Sequence, residues 1–283
     1  MKRRWLLNLA LLLVVIGLGL AVVLRPQPSA QGKFKLSTLN AAEINSIQLS
    51  RPGQPTLKLE KQGSAWKMVA PFTARADAVK AQRLLDLLQV SADQRFPASD
   101  LIRFGLDQPL ATLSLNQQSF SFGTENPLTG EIYIATEGQV YLIASRYLAD
   151  ALKSPADFIS KRLFAEDEVP LGFDLGQTRF IQEQGKWRVE PPNPTLSQDQ
   201  LNQWAEEWRW ASSLLVLPSA PGKSEGAIRL SLQNGKSVEL KILQKEPDFV
   251  LQRSDENLEY HFLPATGLRL LNPATPAKPT AKN

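Results

Sequence analysis

The period of apolar and polar positions changes several times along this chain. From Trp5 to Leu24 there is no alternation: the run carries no charge and is interrupted only by Asn8. Twenty residues of helix reach about 30 Å, the depth of a hydrocarbon layer. The run therefore predicts a transmembrane anchor over 5–24. The stub 1–4 holds Lys2, Arg3 and Arg4, the basic flank expected to stay cytoplasmic, which places the rest of the chain outside. The competing expectation is a cleaved signal peptide, with "PSAQ" (28–31) as the cut. Pro28 sits where a small residue is wanted, and the run is longer than the usual signal core of about 7–15 residues. A Pro/Gln/Ser-rich linker over 25–40 follows, and a Pro/Ala/Lys tail over 273–283 has nothing to bury and is expected to be disordered.

Between them the period falls to two. "INSIQLS" (44–50), "TLKLEK" (56–61) and "SAWKMVA" (64–70) alternate as strands do, with Trp66, Met68 and Ala70 on one face. A helix is predicted over about 76–91. Strands return at "ATLSL" (111–115), "SFSFG" (119–123), "EIYIAT" (131–136) and "QVYLIA" (139–144), and a short helix near 145–153 follows. The order then recurs: "QTRFIQE" (177–183), "KWRVEP" (186–191), a helix over 198–213, then "AIRLSL" (227–232), "KSVELKIL" (236–243), "DFVLQR" (248–253), "LEYHFLP" (258–264) and a last helical turn over 266–271.

Two phrases mark the recurrence. "QGSAWKMVAP" (62–71) and "EQGKWRVEPP" (183–192) place a Gln-Gly turn, a tryptophan and a proline in the same order about 120 residues apart. The pattern predicts an α+β body of two tandem repeats, 41–160 and 161–272. Each is an antiparallel sheet packed with a helix, behind the N-terminal transmembrane helix. Trp66 and Trp187 fit as inward residues beneath their helices; the alternative is a pair of exposed indoles stacking on a ligand.

The second helix carries its own start signal, a capping box of Ser197 and Gln200. Leu201, Trp204, Trp208, Ala211 and Leu215 follow at 3-4-3-4 spacing and predict a buried stripe. Trp210 falls on the opposite side, near Glu206 and Glu207. An indole there is either covered by a loop or the other copy, or is an interface anchor; the second reading makes Trp210 the candidate partner contact. In "LSLQNGKSVEL", Asn234-Gly235 predicts a type I′ hairpin.

Composition removes several function classes. The chain has 283 residues and a net charge of +4; with Lys2, Arg3 and Arg4 set aside, 29 basic residues face 28 acidic ones. A near-neutral body without a basic stripe gives no footing to nucleic acid. There is no cysteine, which excludes disulfides, thiolate metal sites, a cysteine nucleophile and a lipoprotein anchor. His261 is the single histidine, too little for a histidine metal site or, without a Gly-x-Ser-x-Gly elbow, for a serine triad. "GKS" at 222–224 and 235–237 lacks the earlier glycine of a phosphate loop. Glu166, Asp167 and Glu168 read as an exposed linker, and "TENPLTG" (124–130) as a connection or a recognition loop. No catalytic residue, cofactor or metal is predicted, although a hydrolase is not fully excluded.

"FGLDQPLATLSL" (104–115), following a Trp-bearing strand and a Leu-rich helix and preceding "YIATEGQVYLI", resembles the bacterial family called domain of unknown function 4340. The likeness covers roughly 40–150, with 177–270 as a degenerate second copy in which "SAPGKSEG" (219–226) replaces "GLDQP". The resemblance implies a membrane-anchored extracytoplasmic protein, in some members associated with ABC-type transport systems. The combined expectation is a single-pass protein of a bacterial inner membrane with a periplasmic body. Its expected role is a non-catalytic interaction module with a protein partner in the envelope, accessory to transport or envelope assembly. The alternative is a ligand-binding module using the cleft between repeats for a glycan, lipid or peptide.

Overall fold

The computed structural model describes residues 33–274. The expected anchor at 5–24, most of the linker and residues 275–283 of the tail lie outside the described residues. Among the described residues no helix is long and apolar enough to cross a membrane.

The first part of the chain forms β1 (Phe34–Lys35), β2 (Ser46–Ser50), β3 (Leu57–Gln62), β4 (Ala65–Ala70), β5 (Ala74–Arg75), α1 (Ala78–Leu85), β6 (Ser91–Ala92), β7 (Arg95–Pro97), β8 (Ala111–Leu115), β9 (Gln118–Glu125), β10 (Glu131–Thr136), β11 (Gln139–Ala144) and α2 (Arg146–Ala151). The second part forms β12 (Pro170–Asp174), β13 (Arg179–Glu183), β14 (Lys186–Glu190), α3 (Gln198–Arg209), β15 (Leu215–Pro218), β16 (Gly226–Leu232), β17 (Ser237–Gln244), β18 (Phe249–Arg253), β19 (Leu258–Phe262) and α4 (Pro264–Leu271). This is α+β: two large antiparallel sheets and a few helices. The nine-stranded sheet runs β5-β4-β3-β2-β8-β9-β10-β11-β7, and the eight-stranded sheet β14-β13-β12-β16-β17-β18-β19-β15. With β5 set aside, the two orders read alike, strand for strand.

Each sheet turns an apolar face toward helices. Ile47, Leu49, Leu57, Leu59, Trp66 and Met68 meet Ala81, Leu84 and Leu85 of α1; Phe173, Phe180 and Trp187 meet Leu201, Trp204 and Trp208 of α3. All belong to one continuous core. Phe173 is the hub of the second half, its ring centroid 4.5–5.8 Å from those of Trp187, Trp204 and Trp208. The indole N–H groups of Trp204 and Trp208 both donate to the Leu270 carbonyl, 2.9 Å from each, and so hang α4 on α3. A smaller cluster of Phe104, Leu106 and Val140 lies apart from this core, flanked by Phe96, Ala98, Tyr133 and Ala135.

Several details differ from the sequence reading. The helix expected over 76–91 is α-helical only to Leu85, then tightens into a 3-10 turn over Asp86–Gln89 that buries Leu87 and Leu88 together. The helix expected to 213 ends at Arg209: the Trp210 N–H closes the last turn on Glu206, and Ala211–Ser213 run extended against Lys161–Leu163. Leu215 is therefore no member of the helical stripe; it lies on β15 and is 42% exposed. At the "QNG" turn Gly235 takes the left-handed conformation and Asn234 does not, so the loop is not type I′. Gly235 donates instead to the Leu232 carbonyl, and Leu232 to that of Lys236, in a three-residue loop. β1, β5, β6, β7, β12 and β15 are strands that the alternation did not mark.

Candidate functional site

Trp210 sits at the C-terminus of α3, half exposed at 50%. Its ring is held by three side chains, those of Arg162, Arg209 and Glu206. The Arg162 guanidinium lies 4.7 Å from the ring centroid and that of Arg209 5.0 Å, both within the range of cation–π attraction. The indole N–H donates to Glu206 Oε2 over 2.7 Å, and Arg209 Nη1 reaches Glu206 Oε1 at 3.4 Å. Arg162 arrives from a distant segment because Leu163 N–H donates to the Ala211 carbonyl and Ser213 N–H to that of Lys161, each over 2.9 Å. On this short ladder Leu163, Ala211 and Ser213 are buried, while Arg162, Trp210, Ser212 and Leu214 are exposed. Among the described residues, neither a loop nor the other half covers the exposed part of Trp210.

Beside the ladder lies a buried cluster of charge. Arg253, 1% exposed at its side chain, binds Glu168 through two hydrogen bonds of 2.6 and 2.8 Å. It also donates to Asp255 at 2.9 and 3.0 Å and to the Leu163 carbonyl at 2.7 Å. Arg75, on β5 of the first half, donates to Glu256 at 2.5 Å and to the Tyr260 hydroxyl at 2.9 Å. It caps the carbonyls of Arg162 and Leu163 as well. Glu168 thus departs from the expected exposed linker; Glu166 and Asp167 are exposed as expected. Burial works against the ionised form of Glu168, but the Arg253 hydrogen bonds and the Ala165 N–H outweigh it and hold the carboxyl below its ordinary range. Burial, reinforced by Glu256, pushes the Tyr260 hydroxyl well above its ordinary range, so it stays a neutral donor. The cluster joins β5, the 161–168 connector and β18–β19. Two arginines meet three carboxylates, each carboxylate in contact with a guanidinium, so the cluster braces the junction.

A groove of about 750 Å³ opens elsewhere, at one end of the first sheet, lined by Thr38, Asn45, Asn116, Gln118, Thr136 and Glu137 among others. Its amides are largely spent on the fold. Asn116 Oδ1 accepts from the N–H groups of Asn45 and Ser46, and Gln118 bonds Ser37, the Leu36 carbonyl and Thr136.

The remaining sequence candidates do not converge. His261 lies on β19, paired with β15 and β18, its Nε2 3.6 Å from Glu259. Among the described residues no three acidic or histidine side chains gather as a metal site would require. The "TENPLTG" loop is a tight turn, with Gly130 N–H donating to the Asn126 carbonyl, and presents Leu128 at 92% exposure. The Arg253 cluster escaped the sequence reading because its members are 85 residues and more apart from Glu168 or Arg75; a lone arginine on an apolar strand was its one signal.

Residues 66–206 match the family described as Domain of unknown function (DUF4340). The chain resembles the DUF4340 family. The DUF4340 segment begins at Trp66 and ends at Glu206 inside α3, so it takes in the first tryptophan phrase from Trp66 onward, the whole of the second, and the connector with Arg162 and Glu168. That differs from the expected split into a first copy and a degenerate second one. Trp210 lies just beyond the matched segment. No curated protein matches the chain, and no solved structure does.

Proposed function

We propose that this protein is a non-catalytic interaction module of the cell envelope, held to the inner membrane by residues 5–24 with its body on the periplasmic side. In this reading the body is two copies of one sheet-and-helix unit, a view supported by the shared strand order and by Trp66 and Trp187, each buried on the equivalent strand. The observation that carries the functional reading is Trp210: a large indole, half exposed, on a frame fixed by backbone hydrogen bonds at the junction of the halves. Exposed tryptophans on rigid elements are favoured interface anchors. Accessory service to a transport or envelope assembly is the role that fits such a module.

Two measurements test this. A reporter active only outside the cytoplasm, fused after Asn283, is expected to work; activity in the cytoplasm would refute the topology, and release of a soluble body would favour cleavage. In a pull-down of the full chain from envelope membranes, Trp210→Ala is expected to weaken partner recovery by about 2 kcal/mol while leaving thermal unfolding unchanged. Unfolding of the variant, or unchanged recovery, would end the contact reading. A ligand-binding role for the open groove at Asn116 and Glu137 is the second reading; its supporting observation is the volume alone.

A further inference from the structure

The surroundings of Trp210 carry the chemistry of a particular partner. Glu206 is already engaged twice, by the indole N–H and by Arg209. Arg162 differs: among the described residues no carboxylate lies within 4.0 Å of its guanidinium. Its position against the indole is nevertheless set, at 4.7 Å from the ring centroid, by a backbone ladder pinned on both sides. The exposed side of that ladder reads Arg162, Trp210, Ser212 and Leu214, the last 57% exposed. This is a preformed strip: one unpaired cation, one indole, one hydroxyl and one leucine.

From this juxtaposition we infer that the strip binds an extended acidic segment of a partner protein. A partner carboxylate meets the Arg162 guanidinium, and a neighbouring apolar side chain lies against Trp210 and Leu214. A guanidinium held 4.7 Å from the centroid of an indole has part of its freedom already removed, so it loses less when it takes a carboxylate in two parallel hydrogen bonds. An anionic membrane surface fits less well. A plane of phosphates over Trp210 would also press on Glu206, which is exposed beside it, whereas a peptide places one carboxylate at Arg162 and none at Glu206. The inference rests on the reading of Trp210 as a partner contact and names the chemistry of that partner.

The full chain in neutral phosphatidylcholine nanodiscs, panned against a displayed library of random peptides, tests it. Enriched peptides are expected to carry Asp or Glu next to a large apolar residue. Their synthetic versions should lose about tenfold or more in affinity with Arg162→Glu and with Trp210→Ala. They should also weaken between about 0.1 M and about 0.5 M salt. Circular dichroism must show both variants folded; should Arg162→Glu fail to fold, Arg162→Gln replaces it with the same expectation. Peptides that need Trp210 but show no acidic bias and no dependence on Arg162 would overturn the acidic class and leave the contact site standing. Peptides whose binding survives both substitutions would overturn both. Capture of phosphatidylglycerol vesicles that depends on Arg162 and Trp210 would assign the strip to lipid and overturn the inference.

Discussion

At Gly267, in the middle of α4, two preferences oppose each other. Alanine is the better helix former by about 1 kcal/mol. A Cβ there would stand 2.4 Å from Cγ and 2.6 Å from Cβ of Phe249, atoms fixed in the core by β18. Overpacking of that kind costs about 1–3 kcal/mol, so Gly267→Ala is expected to lower stability in urea titration despite its helix propensity. At Glu168 the opposition is between burial and pairing, and its depressed pKa carries a pH signature. A carboxylate held below its unfolded value stabilises the fold above that value, and the contribution is lost as pH falls through the folded pKa. Tyr260, held above its unfolded value, stabilises at pH below about 10 and loses that contribution as pH rises further. Stability should therefore fall at both ends. Glu168→Gln should flatten the acid limb and Tyr260→Phe the alkaline one, with Glu168→Gln costing about 3 kcal/mol near neutrality because Arg253 is left partly unpaired. Thermal unfolding followed from about pH 3 to pH 11 checks both signs. Glu168 was misread from sequence because three consecutive acids look solvated, and nothing local shows an arginine that arrives 85 residues later. The Ser197–Gln200 capping box was legible because all its atoms lie within one turn.

The elements differ most at the sheet edges. In the first half β5 covers the open side of β4, pairing Met68 with Ala74, while the Ala76 N–H donates to the Trp66 carbonyl. In the second half no strand among the described residues takes that place on β14. A side chain does it: Gln198, the first residue of α3, accepts from the Trp187 N–H at 2.8 Å and donates to the Trp187 carbonyl at 2.7 Å. One primary amide thus stands in for one peptide unit of a missing strand. Gln198→Leu should cost about 1–3 kcal/mol through two unsatisfied backbone groups and should bare an edge that favours strand pairing between chains. Concentration-dependent sedimentation, absent in the parent, is the expected outcome; a monomeric variant of unchanged stability would refute the role. The alternation of apolar residues predicted most long strands well, because they have one buried face; β11 and β18, buried on both faces, showed instead as short apolar runs. It missed β5, β7 and β15, which are two to four residues long and exist by pairing with a neighbour, and β12, where Pro170 and Gly172 hide the period.

For the whole molecule, the continuous core and the Arg75 hydrogen bonds to Glu256 and Tyr260 join the halves, so unfolding is expected as one cooperative event. Hydrogen exchange at the amides of β3–β4 in the first half and of β13–β14 in the second, followed through a denaturant titration, should show coincident unfolding midpoints. Separated midpoints would mean that the halves melt independently. The tryptophan phrases located the two hairpins, β3–β4 and β13–β14, and the helix after each from sequence alone. The junction was not legible, since its partners, Arg75 with Glu256 and Tyr260, are 181 and 185 residues apart and no periodicity links them.

The Leu270 carbonyl shared by two indoles bears on how the chain is made. A ribosome delivers Trp208 sixty-two residues before Leu270. Until then α3 has two buried-to-be donors and no acceptor. The nascent chain should therefore remain open to proteases around α3 until α4 emerges. Arrested chains ending near Pro264 should be cut there, and chains carrying α4 in full should resist.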